Sequence, residues 1–176
     1  PGSKRMDLVL FMDAIEHVVK WFRIISTPKG NGLLVGVGGS GRKSLSSLAT
    51  SIADFDLFMI EVTKNYSMGD WREDMRNMFI KGGVDERGIV FLFSDTHVTN
   101  EAFLEDVNNI LNNGEIPNLF ANIEDYTNVT EAMKDACRND PKYSNLGEAD
   151  LFNLFRERCK NNIHVMLAFS PIGEDF

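Results

Sequence analysis

The chain has 176 residues, 43% of them hydrophobic and 25% charged, enough for one compact domain with a proper core. Its formal net charge of −8, with the acidic residues scattered rather than run together, excludes a basic nucleic-acid surface over the domain as a whole. Cys137 and Cys159 lie far apart, with no CxxC, no Cys/His cluster and no HExxH in the chain, so they read as reduced thiols of a cytosolic protein rather than metal ligands. No segment reads as a secretory leader, and no apolar run is long enough to span a bilayer. Residues 1–3, Pro-Gly-Ser, read as a cloning scar and are set aside.

Residues 6–25 carry apolar side chains at helical spacing, with Asp13, Glu16, His17, Lys20 and Arg23 between them, and predict a helix that stops before the breaker Thr27-Pro28-Lys29-Gly30. Residues 32–37, GLLVGV, predict a strand buried on both faces. A glycine loop follows, and then residues 43–54 place Leu45, Leu48, Ala49 and Ile52 on one helical stripe. Residues 56–62 predict a second buried strand. Residues 70–81 predict a helix closed by Gly82-Gly83. Residues 88–93, GIVFLF, predict the most apolar strand of the chain. Residues 100–113 predict a helix with Phe103, Leu104, Val107, Ile110 and Leu111 inward, ended by Gly114. A polar connection with IPNLF leads to a helix near residues 130–137 and another over residues 149–162. Residues 163–169, IHVMLAF, predict a fourth strand, broken by Ser170-Pro171.

Strands alternating with helices predict an α/β fold with a parallel sheet covered by helices on both faces, a three-layer sandwich. Ligands of such sheets bind outside the carboxyl ends of the strands. The glycine loop, Ser94-Asp95 and Ser170 all stand at such ends.

The loop reads GVGGSGRKS over residues 36–44. Strand, glycine loop and helix form the context of a phosphate-binding loop, whose cradle is made of inward-turned backbone N–H groups and the positive end of the following helix. Gly36, Gly38, Gly39 and Gly41 give the backbone its freedom, Val37 lies between them, and Ser40 adds a hydroxyl. Laid on GxxxxGK[ST], Gly36 and Gly41 take both glycine positions, Arg42 takes the lysine position and Lys43 the hydroxyl position. Sliding the frame by one residue makes Lys43-Ser44 the usual pair but turns the glycines into Val37 and Arg42, so the unshifted frame is preferred. Arg42 then pairs with phosphate oxygens in a forked geometry. Lys43 cannot ligate Mg2+ as the usual hydroxyl does, but it can neutralise phosphate charge in the metal's place.

A hydrolysing enzyme of this fold usually ends the third strand with two carboxylates, one for magnesium and one to activate water. Here the strand ends Ser94-Asp95-Thr96-His97. Ser94 has no charge for a metal, and Asp95 takes the second position with a shorter reach than glutamate. Loss of a positioned general base costs about 100- to 10,000-fold in rate. His97, past the strand end, reads as a loop histidine rather than a substitute base. Ser170 ends the fourth strand with less reach than the usual asparagine. Three positions of a hydrolytic apparatus are thus weakened together while the backbone cradle survives.

The segments GLLVGVGGSGRKSL, GIVFLFSDTHVTNEAFLEDVNNILNNGEIPNLF and LFNLFRERCKNNIHVMLAFSPIGEDF resemble the fourth AAA+ module of axonemal dynein heavy chains, and MDLVLFMDAIEHV resembles the helix before that module's first strand. The resemblance implies a P-loop NTPase-type fold, with residues 4–176 as an AAA+ large α/β subdomain lacking the last strand and the small helical domain of a complete module. It implies Walker A at residues 36–44, Walker B at Ser94-Asp95 and sensor one at Ser170. It further implies ATP or ADP as ligand, neighbouring AAA+ modules of the same heavy chain as partners, and contact with other dynein subunits and microtubules through the full motor. It implies a cytoplasmic place in the axoneme of a cilium or flagellum, with no nucleic acid and no membrane. In such a ring Arg156 and Arg158 are candidates for a finger serving the preceding module, although helix-surface charge is the plainer reading. Three functions stay open: a regulatory or structural module that binds nucleotide and hydrolyses little, an active ATPase with Asp95 as base, and a nucleotide-free scaffold.

Overall fold

The structure is a computed structural model and describes residues 16, 19–20, 23–24, 26–35 and 54–169. Four parallel strands form one sheet in the order β1-β4-β3-β2, where β1 is Gly32–Val35, β2 is Asp56–Phe58, β3 is Ile89–Ser94 and β4 is Ile163–Phe169. The chain thus leaves β1 at one edge, builds β2 at the far edge, and returns through β3 to place β4 between β3 and β1. Four helices are described from end to end: α1 (Met68–Gly83), α2 (Glu101–Asn113), α3 (Ile123–Ala136) and α4 (Glu148–Asn162), and residues 16, 19–20 and 23–24 are also helical.

The alternation of strand side chains splits the core in two. Ile89, Phe91 and Phe93 of β3 and Ile163 and Val165 of β4 face α1 to α4 in one continuous cluster with Trp71, Met75, Phe103, Val129, Met133 and Phe155. Val90, Leu92, Met166 and Ala168 point to the other face, where Ile24, Phe55 and Leu57 pack on them. Both sets on β3 are buried, which accounts for its unbroken apolar run.

Helix α2 follows its sequence signals closely. The Asn100 side chain accepts the Ala102 amide at 3.0 Å at its start, and Gly114 closes it in the left-handed conformation at φ 73°. Its inward set is narrower than expected, since Leu104 is 41% exposed. Helix α1 departs from expectation. It begins two residues before Asp70, and Gly82 and Gly83 lie inside it rather than ending it, with Val84 as the C-cap. The reason is packing: a Cβ on Gly83 would stand 2.4 Å from the Phe155 ring and 2.8 Å from Cys159 Sγ, and one on Gly82 2.9 Å from Ile163. The glycines let α1 lie directly against α4 and the start of β4. Helix α3 starts seven residues before the expected 130, capped by the Asn122 side chain on the Glu124 amide at 2.9 Å.

Strand β2 is three residues long rather than the seven of 56–62. It pairs only with Ile89, Val90 and Phe91. Past Phe58 the chain leaves the ladder and buries Ile60 in the cluster around α1. On β1, Leu33 is 59% exposed, so that strand is not buried on both faces.

The amino end of the sheet is stitched across long sequence distances. His164 Nδ1 lies 2.7 Å from the Gly30 carbonyl oxygen, the Asn31 side chain accepts the Val165 amide at 2.7 Å, and the Asn162 side chain donates to the Gly82 carbonyl at 2.9 Å. His164 is stacked on Phe55, and burial pushes its pKa below the ordinary value. Cys137 and Cys159 are both free and buried. The Cys159 thiol donates to the Phe79 carbonyl at 3.2 Å, and burial raises its pKa.

Candidate functional site

Register alone brings the three strand ends together. Val35, the residue before the glycine loop, pairs with Phe169, the residue before Ser170, and Ser94 pairs with Ala168. The carboxyl ends of β1, β4 and β3 therefore lie side by side, with β4 inserted between a strand that goes on to the loop and one that ends in Ser94-Asp95. A crevice at such a reversal of strand order is where open parallel sheets take their ligands. Residues 36–44, with every glycine and both cations of the loop, and Ser170 lie outside the described residues.

The β3 end is described in full. Ser94 is extended, and residues Asp95–His97 form one turn of 3-10 helix. The Ser94 amide donates to His97 Nδ1 at 3.1 Å. Ser94 Oγ lies 2.7 Å from Thr96 Oγ1 and 3.3 Å from His97 Nδ1. The Asp95 carboxylate accepts the Thr96 amide at 3.0 Å. Asp95 and Thr96 are exposed while His97 is buried, its ring tilted against Phe93 with centroids 5.9 Å apart.

Beneath the turn lies an aromatic stack. Trp71 is fully buried, meets Phe93 edge-on at 5.8 Å and stacks on Phe103 at 4.4 Å. Its indole N–H donates to the buried Asp106 carboxylate at 2.8 Å. A buried carboxylate is costly without such a partner, so Asp106 fixes the orientation of Trp71 and, through it, the floor under β3. The sequence placed Trp71 and Phe103 only on helix faces. Trp71 meets both Phe93 and Phe103 across more than twenty positions of chain.

Arg156 and Arg158 are both held within the domain. Arg156 donates from Nε and Nη2 to both oxygens of Glu115, at 2.8 and 2.9 Å, and this pairing holds the Glu115 carboxyl below its ordinary range. Arg158 Nε is 3.2 Å from Glu86 Oε1, and its guanidinium lies over the Tyr143 ring at 5.6 Å. Beside Arg156 a cavity of about 270 Å³ opens between α4 and the segment from Gly114 to Ala121, lined mainly by Phe79, Ile116, Leu119, Phe120, Phe152 and Phe155.

Among the described residues no three His, Cys, Asp or Glu side chains converge to hold a metal ion, and no helix is long and apolar enough to cross a membrane. A Ser94 hydroxyl engaged with Thr96 and His97 is an uncharged donor set for Mg2+, whereas the exposed Asp95 carboxylate fits either a metal-bound water or an attacking one.

Residues 6–176 match the family profile of the P-loop containing dynein motor region D4. The chain belongs to that family. Its parallel α/β sheet is thus that of an AAA+ P-loop NTPase-type large subdomain, a fold that binds nucleotide. The chain is 48% identical to the dynein-1-beta heavy chain of the flagellar inner arm I1 complex of Chlamydomonas reinhardtii, over all of its length and 4% of that protein. It is 43% identical to mouse dynein axonemal heavy chain 2 over all of its length, and 42% identical to human dynein axonemal heavy chain 1 over 99% of it, again covering 4% of each. It therefore spans about one twenty-fifth of the length of these relatives.

Proposed function

We propose that residues 4–176 form the large α/β subdomain of the fourth AAA+ module of an axonemal dynein heavy chain, and that it binds nucleotide as a regulatory or structural element while hydrolysing little or none. ATP or ADP is the ligand, held by the backbone of residues 36–44, with Arg42 on phosphate oxygens and Lys43 supplying positive charge where a hydroxyl would hold Mg2+. The partners are the neighbouring AAA+ modules of the same heavy chain, with other dynein subunits and microtubules reached through the full motor. The place of work is the axoneme of a cilium or flagellum.

The observation that carries this reading is the β3 end. The position that would bring a carboxylate to a metal holds Ser94, and its hydroxyl is already paired with Thr96 and His97. Phosphate binding through backbone needs no such carboxylate, whereas hydrolysis does. The exposure of Asp95 favours one alternative, an active ATPase with Asp95 orienting the water. Titration with ATP and ADP, with and without magnesium, together with a phosphate-release assay, separates the two. Binding with no release above background is expected. Release that is lost in Asp95→Asn would establish the ATPase instead, and absence of binding in a chain extended to the complete module would leave a scaffold.

A further inference from the structure

His97 is the one buried residue of an otherwise exposed turn. Its Nδ1 accepts the Ser94 amide at 3.1 Å, so that nitrogen carries no hydrogen and the neutral ring holds its hydrogen on Nε2. The ring is wedged against Phe93, Phe93 rests on Trp71, and Trp71 is locked by Phe103 and Asp106. The acceptor nitrogen is therefore held in place from below. Above it the rest of the turn follows: Ser94 Oγ meets Thr96 Oγ1, and Asp95 takes the Thr96 amide.

The same spacing occurs a second time in the molecule. Ser67 and Asp70 stand three apart, as Ser94 and His97 do, and the Asp70 carboxylate accepts the Ser67 amide at 2.8 Å. At Ser94 an imidazole does what a carboxylate does at Ser67. A neutral acceptor differs in one respect that matters beside phosphate: it closes the turn without adding negative charge.

The geometry points to His97 as a positioning residue that sets Ser94 and Asp95 in a single arrangement before nucleotide arrives. This role rests on the nucleotide-binding reading for what is being positioned, while the fixed turn stands on its own distances.

Two substitutions test it. His97→Leu keeps an apolar filling over Phe93 and removes the acceptor. His97→Asn restores an acceptor oxygen at the same spacing without charge. In His97→Leu, exchange of the Ser94 amide with solvent should quicken at least about tenfold, and affinity for ATP should fall roughly three- to tenfold. In His97→Asn both should return to within about twofold of wild type. Trp71 fluorescence reports whether each variant keeps the native core. Nitrogen-15 spectra of the unmodified protein give a reading that needs no variant: His97 should carry its hydrogen on Nε2.

Unchanged Ser94 exchange in a folded His97→Leu, or a hydrogen on Nδ1 in the unmodified protein, overturns the role. So does an Asn variant as impaired as the Leu one. Should the unmodified protein bind neither ATP nor ADP, the nucleotide reading fails by itself, and Ser94 exchange still decides whether His97 fixes the turn.

Discussion

Ser67 and Ser94 each open a turn at the carboxyl side of the sheet, and each has its amide taken by the side chain three residues on. They differ in everything that follows. At Ser67 the box closes completely: Asp70 takes the amide at 2.8 Å and the hydroxyl at 2.9 Å, and the hydroxyl takes the Asp70 amide at 3.2 Å. A carboxylate at a helix start also meets the positive end of the dipole, and sixteen residues of α1 grow from it. At Ser94 the acceptor is an imidazole, the hydroxyl also meets Thr96 Oγ1 at 2.7 Å, and only three residues coil before the chain straightens. One local pattern thus serves to build a helix in one place and to hold two exposed polar side chains in another. The charge and reach of the third residue decide which.

The largest effect that would strain this contrast lies at the far end of α1. If packing on α4 anchors the helix together with its cap, Gly83→Ala should destabilise the domain by about 1–3 kcal/mol in urea unfolding, because its Cβ has no room beside Phe155 and Cys159. Helix propensity alone predicts the opposite sign, a gain of about 1 kcal/mol, so a stabilised variant would show that the seam yields easily.

Next comes the pair of serines. Ser67→Ala should cost about 1 kcal/mol as a lost N-cap. Ser94→Ala should cost no more than about 0.5 kcal/mol, since only a single 3-10 turn follows it. Equal losses in denaturant midpoint would mean that the two turns bear on the fold alike.

A titration sharpens the same point. Hydrogen bonds from the Ser67 amide and hydroxyl hold the Asp70 pKa below its ordinary 3.8. A depressed carboxylate stabilises the fold above its unfolded pKa and loses that contribution as pH falls through the folded one. The stability gap between the unmodified protein and Asp70→Asn should therefore be present at neutral pH and close below pH 3.8, as chemical denaturation across pH would register.

The smallest effect concerns the two histidines buried among the described residues, which use Nδ1 in opposite ways. His97 Nδ1 accepts an amide, whereas His164 Nδ1 faces the Gly30 carbonyl and must donate to it. Nitrogen-15 spectra should assign the hydrogen to Nε2 in the first and Nδ1 in the second. Burial lowers the His164 pKa below 6.5. As pH falls below 6.5 the unfolded chain takes its proton first, so stability should decline until the folded-state pKa is passed and then level off. His164→Gln should flatten that slope, and a slope that survives the substitution would assign it to other groups.

Much of this was legible before any coordinates. The limits of α2 follow from Asn100 and Gly114, and β4 runs over the seven residues its apolar stretch marks out. These signals are local: a cap, a left-handed glycine, an unbroken apolar run. The glycine loop with its changed cations and the Ser94-Asp95 end stand out as motifs because their residues sit close together in the chain, and the loop itself lies outside the described residues. Gly82-Gly83 misled, since a pair of glycines stops a helix in isolation and admits a neighbouring helix in a packed core. His97 lies in the turn past the strand end, where it reads as a loop histidine, but its burial against Phe93 left no signal in the sequence.

The sequence by itself determined the alternation of strands and helices and the phosphate-loop pattern, carried by spacing along the chain, and, through the resemblance of its segments, membership of the dynein motor family. Tertiary structure alone decided that β4 lies between β1 and β3, that Arg156 and Arg158 are bound to Glu115 and Glu86, and that Trp71 and His97 form the support under Ser94-Asp95. Each of these joins residues that only folding brings together, and packing and pairing across such distances leave no periodicity to read.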